Sequence, residues 1–380
     1  MLAKGIQLSL LIGPIVPIPV PRVVLDALDS VEVRTASGSA SGFQLTFQIT
    51  AKSELNTIFL IAAGTNTSMA TPPLRVMLVV TMNGSPQPLF DGVMTNVDVQ
   101  PGSQGAPGTL TVTGEDVSKV MDMQDFSGLP FPALPVEARV AVLCAKYAAF
   151  GVIPLPIPIL FPDVQIPIDK IPAQQGTDLA YIQLLARKVG YVFYVEPGPA
   201  PGANVAYFGP EIKIGVPQPA LNVDMDALTN VESLSFSFDP TKGVLPVVFI
   251  QNQLTRVPIP IPIPNLNPLQ PPLGALPTPI SNLKIMKETA KLNPMQAISL
   301  GLAEAAKSQD AVSGRGSLNV LRYGRLLKAR GLVGVRGVGI AYDGLYYVQS
   351  VTSTLKRGEF KQSFNLTRNG LVSITPRVPV

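Results

Sequence analysis

Across residues 331–371, apolar and polar residues alternate in short runs broken at glycine turns, which commits this stretch to antiparallel β-structure. It reads GLVGVRGVGIAYDGLYYVQSVTSTLKRGEFKQSFNLTRNGL. Strand-like runs at 339–342, 346–354 and 359–367 are separated by Asp343-Gly344 and by Lys356-Arg357-Gly358. Asp-Gly between two alternating runs is the strongest short-range hairpin signal. Lys-Arg-Gly serves a slightly longer turn. The pattern predicts a meander with one face packed and the other presented outward.

The same period recurs upstream. Residues 29–50 give SVEVRTA, a Ser/Gly turn at 37–42 and FQLTFQIT. LRVMLVVTM runs into Asn83-Gly84, a second hairpin turn, followed by strand-like runs at 88–99 and 109–116. Strand character returns at 231 with VESLSFSFD, a turn at 240–243 and VLPVVFIQN. Phe43, Leu45, Phe47, Leu234 and Phe236 alternate with Gln44, Thr46, Gln48, Ser235 and Ser237, so one set faces a core and the other faces out. The sequence does not say which.

Helical period appears in three places. Residues 136–150 place Val140, Leu143, Cys144 and Tyr147 on one face, with Gly151 closing the helix. Thr177 is positioned to cap a helix that begins with Asp178, carries Arg187 and Lys188 in its last turn and stops at Gly190. A strand follows at 191–195. Asn293-Pro294 opens the third helix.

Three Pro/aliphatic tracts interrupt this plan, at 14–21, 153–168 and 256–281. Proline has no N–H to give to a ladder, so such tracts are excluded from central strands. Residues 1–28 therefore read as an extended N-terminal arm. Residues 256–281, with nine prolines, read as an extended apolar arm or loop that is buried. These tracts either wrap neighbouring subunits or form lids within one chain.

Composition excludes several functions. There is no histidine and one cysteine, Cys144. This removes His-dependent triads, imidazole acid/base chemistry, His-ligated metals and internal disulfides. No cofactor is expected. Twenty-nine basic against 25 acidic residues give +4, with no Lys/Arg run that would track a phosphate backbone, so no nucleic acid is expected either. Charged residues make up 14% and apolar ones 46%. That is little charge for a monomer's surface, and it points to burial against other chains. Residues 5–20 are apolar but broken by Pro14, Pro17 and Pro19, so neither a membrane helix nor a signal peptide is expected. The expected location is the cytoplasm during assembly.

Three motifs resemble the phage late-control (gene D) baseplate hub family, which also forms the base of VgrG-type spikes in contractile injection systems. The first is LFDGVMTNVDVQ…TLTVTGEDVSKVMD, with Phe90, Gly92, Val93, Val97, Gly114 and Asp116 at the matching positions. The second is the helix and strand carrying Asp178, Tyr181 and Gly190. The third is the C-terminal stretch, with Asp343, Gly344, Tyr346, Tyr347, Val348, Ser350, Val351, Gly358, Phe364, Leu366, Arg368 and Gly370. Read from the residues alone, Gly92 and Gly114 are turn or bulge glycines, Asp116 is an N-cap, and the helix's aromatic stripe is core.

The resemblance implies a mainly β fold with minor α: two tube-like antiparallel barrels at 29–116 and 231–371, flanking a mixed α/β insert at 117–230, with a tail at 372–380. It implies a structural function without catalysis, as a homotrimeric adaptor between a hexameric inner tube protein and a trimeric spike protein, beside baseplate wedge or adaptor proteins. The spike would be a separate protein. The alternatives are a receptor- or glycan-binding β protein and a carboxylate-dependent wall hydrolase. Few aromatics (6%, no tryptophan) weigh against the first, and the missing histidine weighs against the second.

Overall fold

The computed structural model describes residues 2–3, 5–49, 73–103, 106–159, 171–251, 257–264, 270–287 and 294–375. Its architecture is mainly β with few helices, as the alternation predicts. The N-terminal part supplies β1 (Ile6–Gly13), β2 (Leu28–Ala36), β3 (Gly42–Ile49), β4 (Arg75–Met82), β5 (Ser85–Gln100) and β6 (Gly108–Asp116). The middle holds α1 (Val136–Ala145), β7 (Val152–Pro156), α2 (Asp178–Val189), β8 (Val192–Pro197), β9 (Asn204–Gly209) and β10 (Gln218–Asn222). The remainder comprises β11 (Val231–Phe238), β12 (Gly243–Gln251), β13 (Pro258–Pro262), β14 (Gly274–Pro277), β15 (Ile280–Ile285) and α3 (Pro294–Ser308). It closes with β16 (Val312–Asn319), β17 (Leu332–Arg336), β18 (Gly344–Lys356), β19 (Glu359–Arg368) and β20 (Gly370–Ser373).

A fourteen-stranded sheet organises the molecule, with its main path running β1-β4-β5-β6-β3-β2-β18-β19-β16-β11. The strands expected for two barrels are joined in this one ladder, because β2 pairs antiparallel with β18 from Ser30↔Lys356 to Ala36↔Ser350. One apolar core serves both halves and includes Phe43, Phe47, Phe90, Tyr346, Phe360 and Phe364. Phe43, Leu45 and Phe47 are buried, while Gln44 and Gln48 are exposed, which settles the sidedness left open by the alternation.

Local signals fold as read at several points. Met82 pairs with Ser85 across Asn83 and Gly84, both at positive φ as a primed two-residue turn requires. Lys356 pairs with Glu359 across Arg357 and Gly358. Asp116 caps a short 3-10 helix, Val117–Asp122, by accepting from Ser118 N–H. Thr177 caps α2 by accepting from Ala180 N–H, and Gly190 ends it in the left-handed region.

Other expectations are corrected. Residues 6–13 are not an arm. They form β1, paired along its length with β4, and bury Ile6, Leu8 and Leu10. Proline begins only at Pro14, so every residue of β1 keeps its N–H. The turn at 240–243 does not make a hairpin of β11 and β12. β11 pairs with β16, whereas β12 sits between β13 and β15 in a separate small sheet backed by α3. Residues 339–342 are a turn, not a strand. The strand lies earlier, at β17, and the chain reverses through 337–343, with Gly337 and Gly339 at positive φ and Asp343 accepting from Val338 N–H.

The third Pro-rich tract is also partly exposed and partly sheet. β13 pairs with β12 as an edge, and β14 pairs with β20. Ile259 is 46% exposed and Leu276 58%. Proline alternates with isoleucine in β13, so the missing donors can all fall on one side. Ile263 N–H, next in that register, donates to Pro246 O at 2.9 Å. Residues 160–168 of the second tract, residues 256 and 265–269 of the third, and Asn293 lie outside the described residues.

The mixed segment has its own core, built from Val117, Met121, Phe131, Leu143, Tyr181, Ile182 and Phe208 among others. Its small sheet has the order β8-β9-β7. β10 has already left it, pairing parallel with β17 in the main sheet.

Candidate assembly face

Eight strands in the order β5-β6-β3-β2-β18-β19-β16-β11 carry apolar residues toward the core and turn a polar face outward. The register lines side chains up in cross-strand rows. One row runs Asn96, Thr113, Gln44, Glu32, Thr354 and Lys361. Another runs Thr352, Ser363, Ser317 and Ser233, and a third Ser350, Asn365, Arg315 and Ser235. Both the second and third rows reach β11. Directly opposed residues of this kind hydrogen-bond laterally. Ser233 and Ser317 hydroxyls lie 2.8 Å apart, and Asn365 Nδ2 donates to Ser350 Oγ at 2.7 Å. Charge on the face is mixed, with Lys361 between Glu232 (3.3 Å) and Glu359 (2.8 Å). The face therefore offers many weak, neutral hydrogen-bonding groups and no concentrated field. Among the described residues, no group of three or more His, Cys, Asp or Glu side chains converges as a metal site would require.

The residues of the three family-like motifs fall into three framework clusters. Phe90 packs its ring 5.3 Å from Phe43, with Phe90 against Gly92 and Phe43 against Gly114. A Cβ on Gly92 would stand 2.2 Å from Glu115 O, and one on Gly114 2.2 Å from Val93 O, so β5 and β6 approach as only glycine permits. Asp116 ties this corner down by accepting from Ser41 N–H (2.8 Å) and Ser118 N–H (3.0 Å). Burial holds its carboxyl above the ordinary value, although these hydrogen bonds pull the other way.

The second cluster belongs to the mixed segment. Asp178 is fully buried and accepts from Lys146 Nζ (3.1 Å), Tyr147 OH (2.9 Å) and Gln174 Nε2 (2.6 Å). Tyr181 stacks on Phe131 at 5.8 Å. Gly190 lets α2 meet α3, since a Cβ there would lie 2.8 Å from Ala303 Cβ and 2.9 Å from Ser299 O.

The third cluster closes the C-terminal turn. Arg368 Nε donates to Gly370 O (2.7 Å), and its other nitrogens donate to Asp343 O (2.9 Å) and Ala341 O (2.6 Å). Gly344 is at φ 128°, with Ser373 against the place a Cβ would take. Tyr347 and Val348 are buried in β18, and Gly358 turns at φ 81° in open space.

Three further constellations escaped the sequence reading. Arg75 forms a buried two-bond pair with Asp91 (2.8 and 2.6 Å) and reaches Ile15 O and Gly202 O, while Asn204 Nδ2 donates to Asp91. This fastens the mixed segment to the sheet. Arg330 stacks 3.9 Å over Tyr194 and donates to Ala36 O, joining all three regions. Gln362 accepts from Leu327 N–H and donates to Leu327 O, and Gln218 does the same for Lys328. An arginine inside the apolar run LRVMLVV was the one visible signal among these.

No protein-family model matches the chain, and no curated protein matches it. Solved structures do. The tail protein from Neisseria meningitidis MC58 superposes with a TM-score of 0.61 at 13% identity, over 97% of this chain and 98% of that one. The 43 kDa tail protein of prophage MuSo2 from Shewanella oneidensis gives 0.60 at 13% identity, over 95% and 98%. A chain of the lidded Francisella PdpA–VgrG complex gives 0.57 at 8% identity; the match covers 100% of this chain and 55% of that one. The chain thus shares its fold with both tail proteins over nearly its whole length.

Proposed function

We propose that this chain is a structural baseplate hub of a phage tail or contractile injection system, a homotrimer that adapts a six-fold inner tube to a three-fold spike. The likeness, over nearly the whole of both chains, to a tail protein and a prophage tail protein carries this reading. The outward polar face supports it, because a channel wall or tube interface needs many neutral hydrogen-bonding groups and no sticky charge. The buried signature residues act in this reading as the framework that shapes the face, without catalysis. Its partners are further copies of itself, a trimeric spike protein, a hexameric tube protein and baseplate wedge proteins. The test is the solution mass of the purified protein, alone and mixed with a co-encoded spike candidate. A trimer that binds the spike is expected. A stable monomer indifferent to it overturns the proposal.

A further inference from the structure

Most lysine ion pairs among the described residues sit at the surface, and one does not. Lys213 Nζ lies 2.5 Å from Asp310 Oδ2, with the two side chains only 5% and 16% exposed. In the Lys119–Asp122, Lys284–Glu304 and Lys361 pairs every side chain is at least 28% exposed. Lys146–Asp178 buries the carboxylate alone, and Tyr147 and Gln174 also donate to it. The partners of the buried pair come from distant places. Lys213 follows β9 in the mixed segment, and Asp310 stands between α3 and β16.

Their surroundings favour an uncharged pair. The Tyr347 ring centroid is 5.4 Å from Lys213 Nζ, and Lys242 Nζ donates to the main-chain O of Asp310 at 2.6 Å. Burial holds the Asp310 carboxyl above its ordinary value even with Lys213 beside it, and the charge of Glu211 pushes the same way. Keeping an ammonium and a carboxylate out of water is costly, and a neutral product of the two removes that cost. A desolvated lysine amine is also a nucleophile.

A second acid stands beside the pair. Glu211 precedes Lys213 by two residues on the same side of the chain, because 211 and 213 turn inward while Ile212 and Ile214 are exposed. Glu211, Asp310, Tyr347 and Thr367 line one polar cavity of about 280 Å³. Glu211 Oε1 accepts from Ser37 Oγ at 2.8 Å, and Tyr347 OH lies 3.3 Å from the same Ser37 Oγ, which fixes the glutamate at the cavity wall. Thr367 adds a buried hydroxyl that has no hydrogen-bond partner.

We propose that Lys213 and Asp310 join in an intramolecular isopeptide bond once the chain has folded, with Glu211 as the proton acceptor. Glu211 takes one proton from the Lys213 ammonium, and the freed lone pair bonds to Cγ of the protonated Asp310 carboxyl. A second proton passes from that nitrogen to the departing hydroxyl, whose C–O bond breaks to release water into the cavity. One amide and one water replace an amine and a carboxylic acid, so nothing is oxidised or reduced, and Glu211 returns its proton to solvent. The product is a covalent staple between the mixed segment and the α3–β16 junction. It needs a folded chain and no partner, so it stands or falls apart from the hub reading.

The test is the intact mass of the full chain after denaturation. The wild type should be lighter than its sequence by one water molecule, whereas Lys213→Arg and Asp310→Ala should each keep their whole sequence mass. Proteolytic digestion of the wild type should yield a branched peptide carrying Lys213 and Asp310, and none carrying Lys146 and Asp178. Glu211→Gln should keep the circular dichroism of the parent and remain largely unbonded. A wild type of full sequence mass overturns the proposal and leaves a buried ion pair. Water lost equally from Lys213→Arg also overturns it, since the loss then arises elsewhere in the chain. Complete bonding in Glu211→Gln overturns the part given to Glu211.

Discussion

The guanidinium of Arg368 lies 4.5 Å over the ring of Tyr346 while its nitrogens hold the carbonyls of Ala341, Asp343 and Gly370. A planar, multiply donating cation is needed there, since one side chain must both stack and fork. Arg368→Lys should therefore cost about 2–4 kcal/mol, because buried carbonyls lose their donors. Urea denaturation reads this directly, and a loss within error of zero would show that the turn holds itself.

Glycine at two positions should respond differently to the same change. Gly190 and Gly358 both have positive φ, but a methyl group meets α3 at the first and open space at the second. Gly358→Ala should cost about 1 kcal/mol from backbone strain alone. Gly190→Ala should cost roughly 2–4 kcal/mol because α2 and α3 must also separate. Thermal melts of the two variants side by side give the comparison.

Arg75 and Asp91 are both inside the protein, so removing one partner leaves the other charge stranded. Arg75→Met should destabilise by about 3–5 kcal/mol, and Arg75→Met with Asp91→Leu should recover much of that loss. A double variant no better than the single would mean that the bonds to Ile15, Gly202 and Asn204 matter more than the charge pair.

The two glutamine staples on residues 327 and 328 differ in burial. Gln362 is buried and also contacts Ser353, whereas Gln218 is half-exposed. Gln362→Ala should cost about 2–3 kcal/mol and Gln218→Ala about 1 kcal/mol, following the desolvation of the groups left unpaired. Hydrogen exchange at Leu327 and Lys328 amides should rise in the matching variant.

Asp116 gives a pH signature. Its folded-state pKa is raised by burial, so its contribution is fully present below the ordinary carboxylate pKa of about 4 and is lost as pH rises through the raised value. The stability of wild type relative to Asp116→Asn should accordingly fall from pH ~4 to pH ~7. A relative stability that rises with pH would contradict the sign.

Much of the local architecture is legible in the sequence because its causes are local. Thr177 and Gly190 mark both ends of α2, Asn83-Gly84 fixes a hairpin, and alternation in FQLTFQIT fixes which side of β3 is buried. What was misread depends on distant partners. Nothing near residue 240 tells β11 to leave β12 for β16, and nothing near Val31 names Leu355 as its neighbour. The turn before β18 begins at Gly337, six residues ahead of the Asp343-Gly344 pair, because Gly337 and Gly339 reverse the chain first. Arg75 can sit in an apolar strand because Asp91 on the neighbouring strand and Asn204 from the mixed segment meet there.

The antiparallel pairing of β2 with β18 has a consequence for how the molecule is made. The two strands are separated by more than three-quarters of the chain, and their pairing is the seam that joins the strands of the first half of the sheet to those of the second. A ladder closed so late carries high contact order, which slows folding and leaves β2 an unpaired edge while the ribosome is still delivering the middle of the protein. Newly made chains are therefore at greatest risk of associating wrongly during this interval. A truncation lacking the last two long strands should be recovered as aggregate, not as a stable fragment.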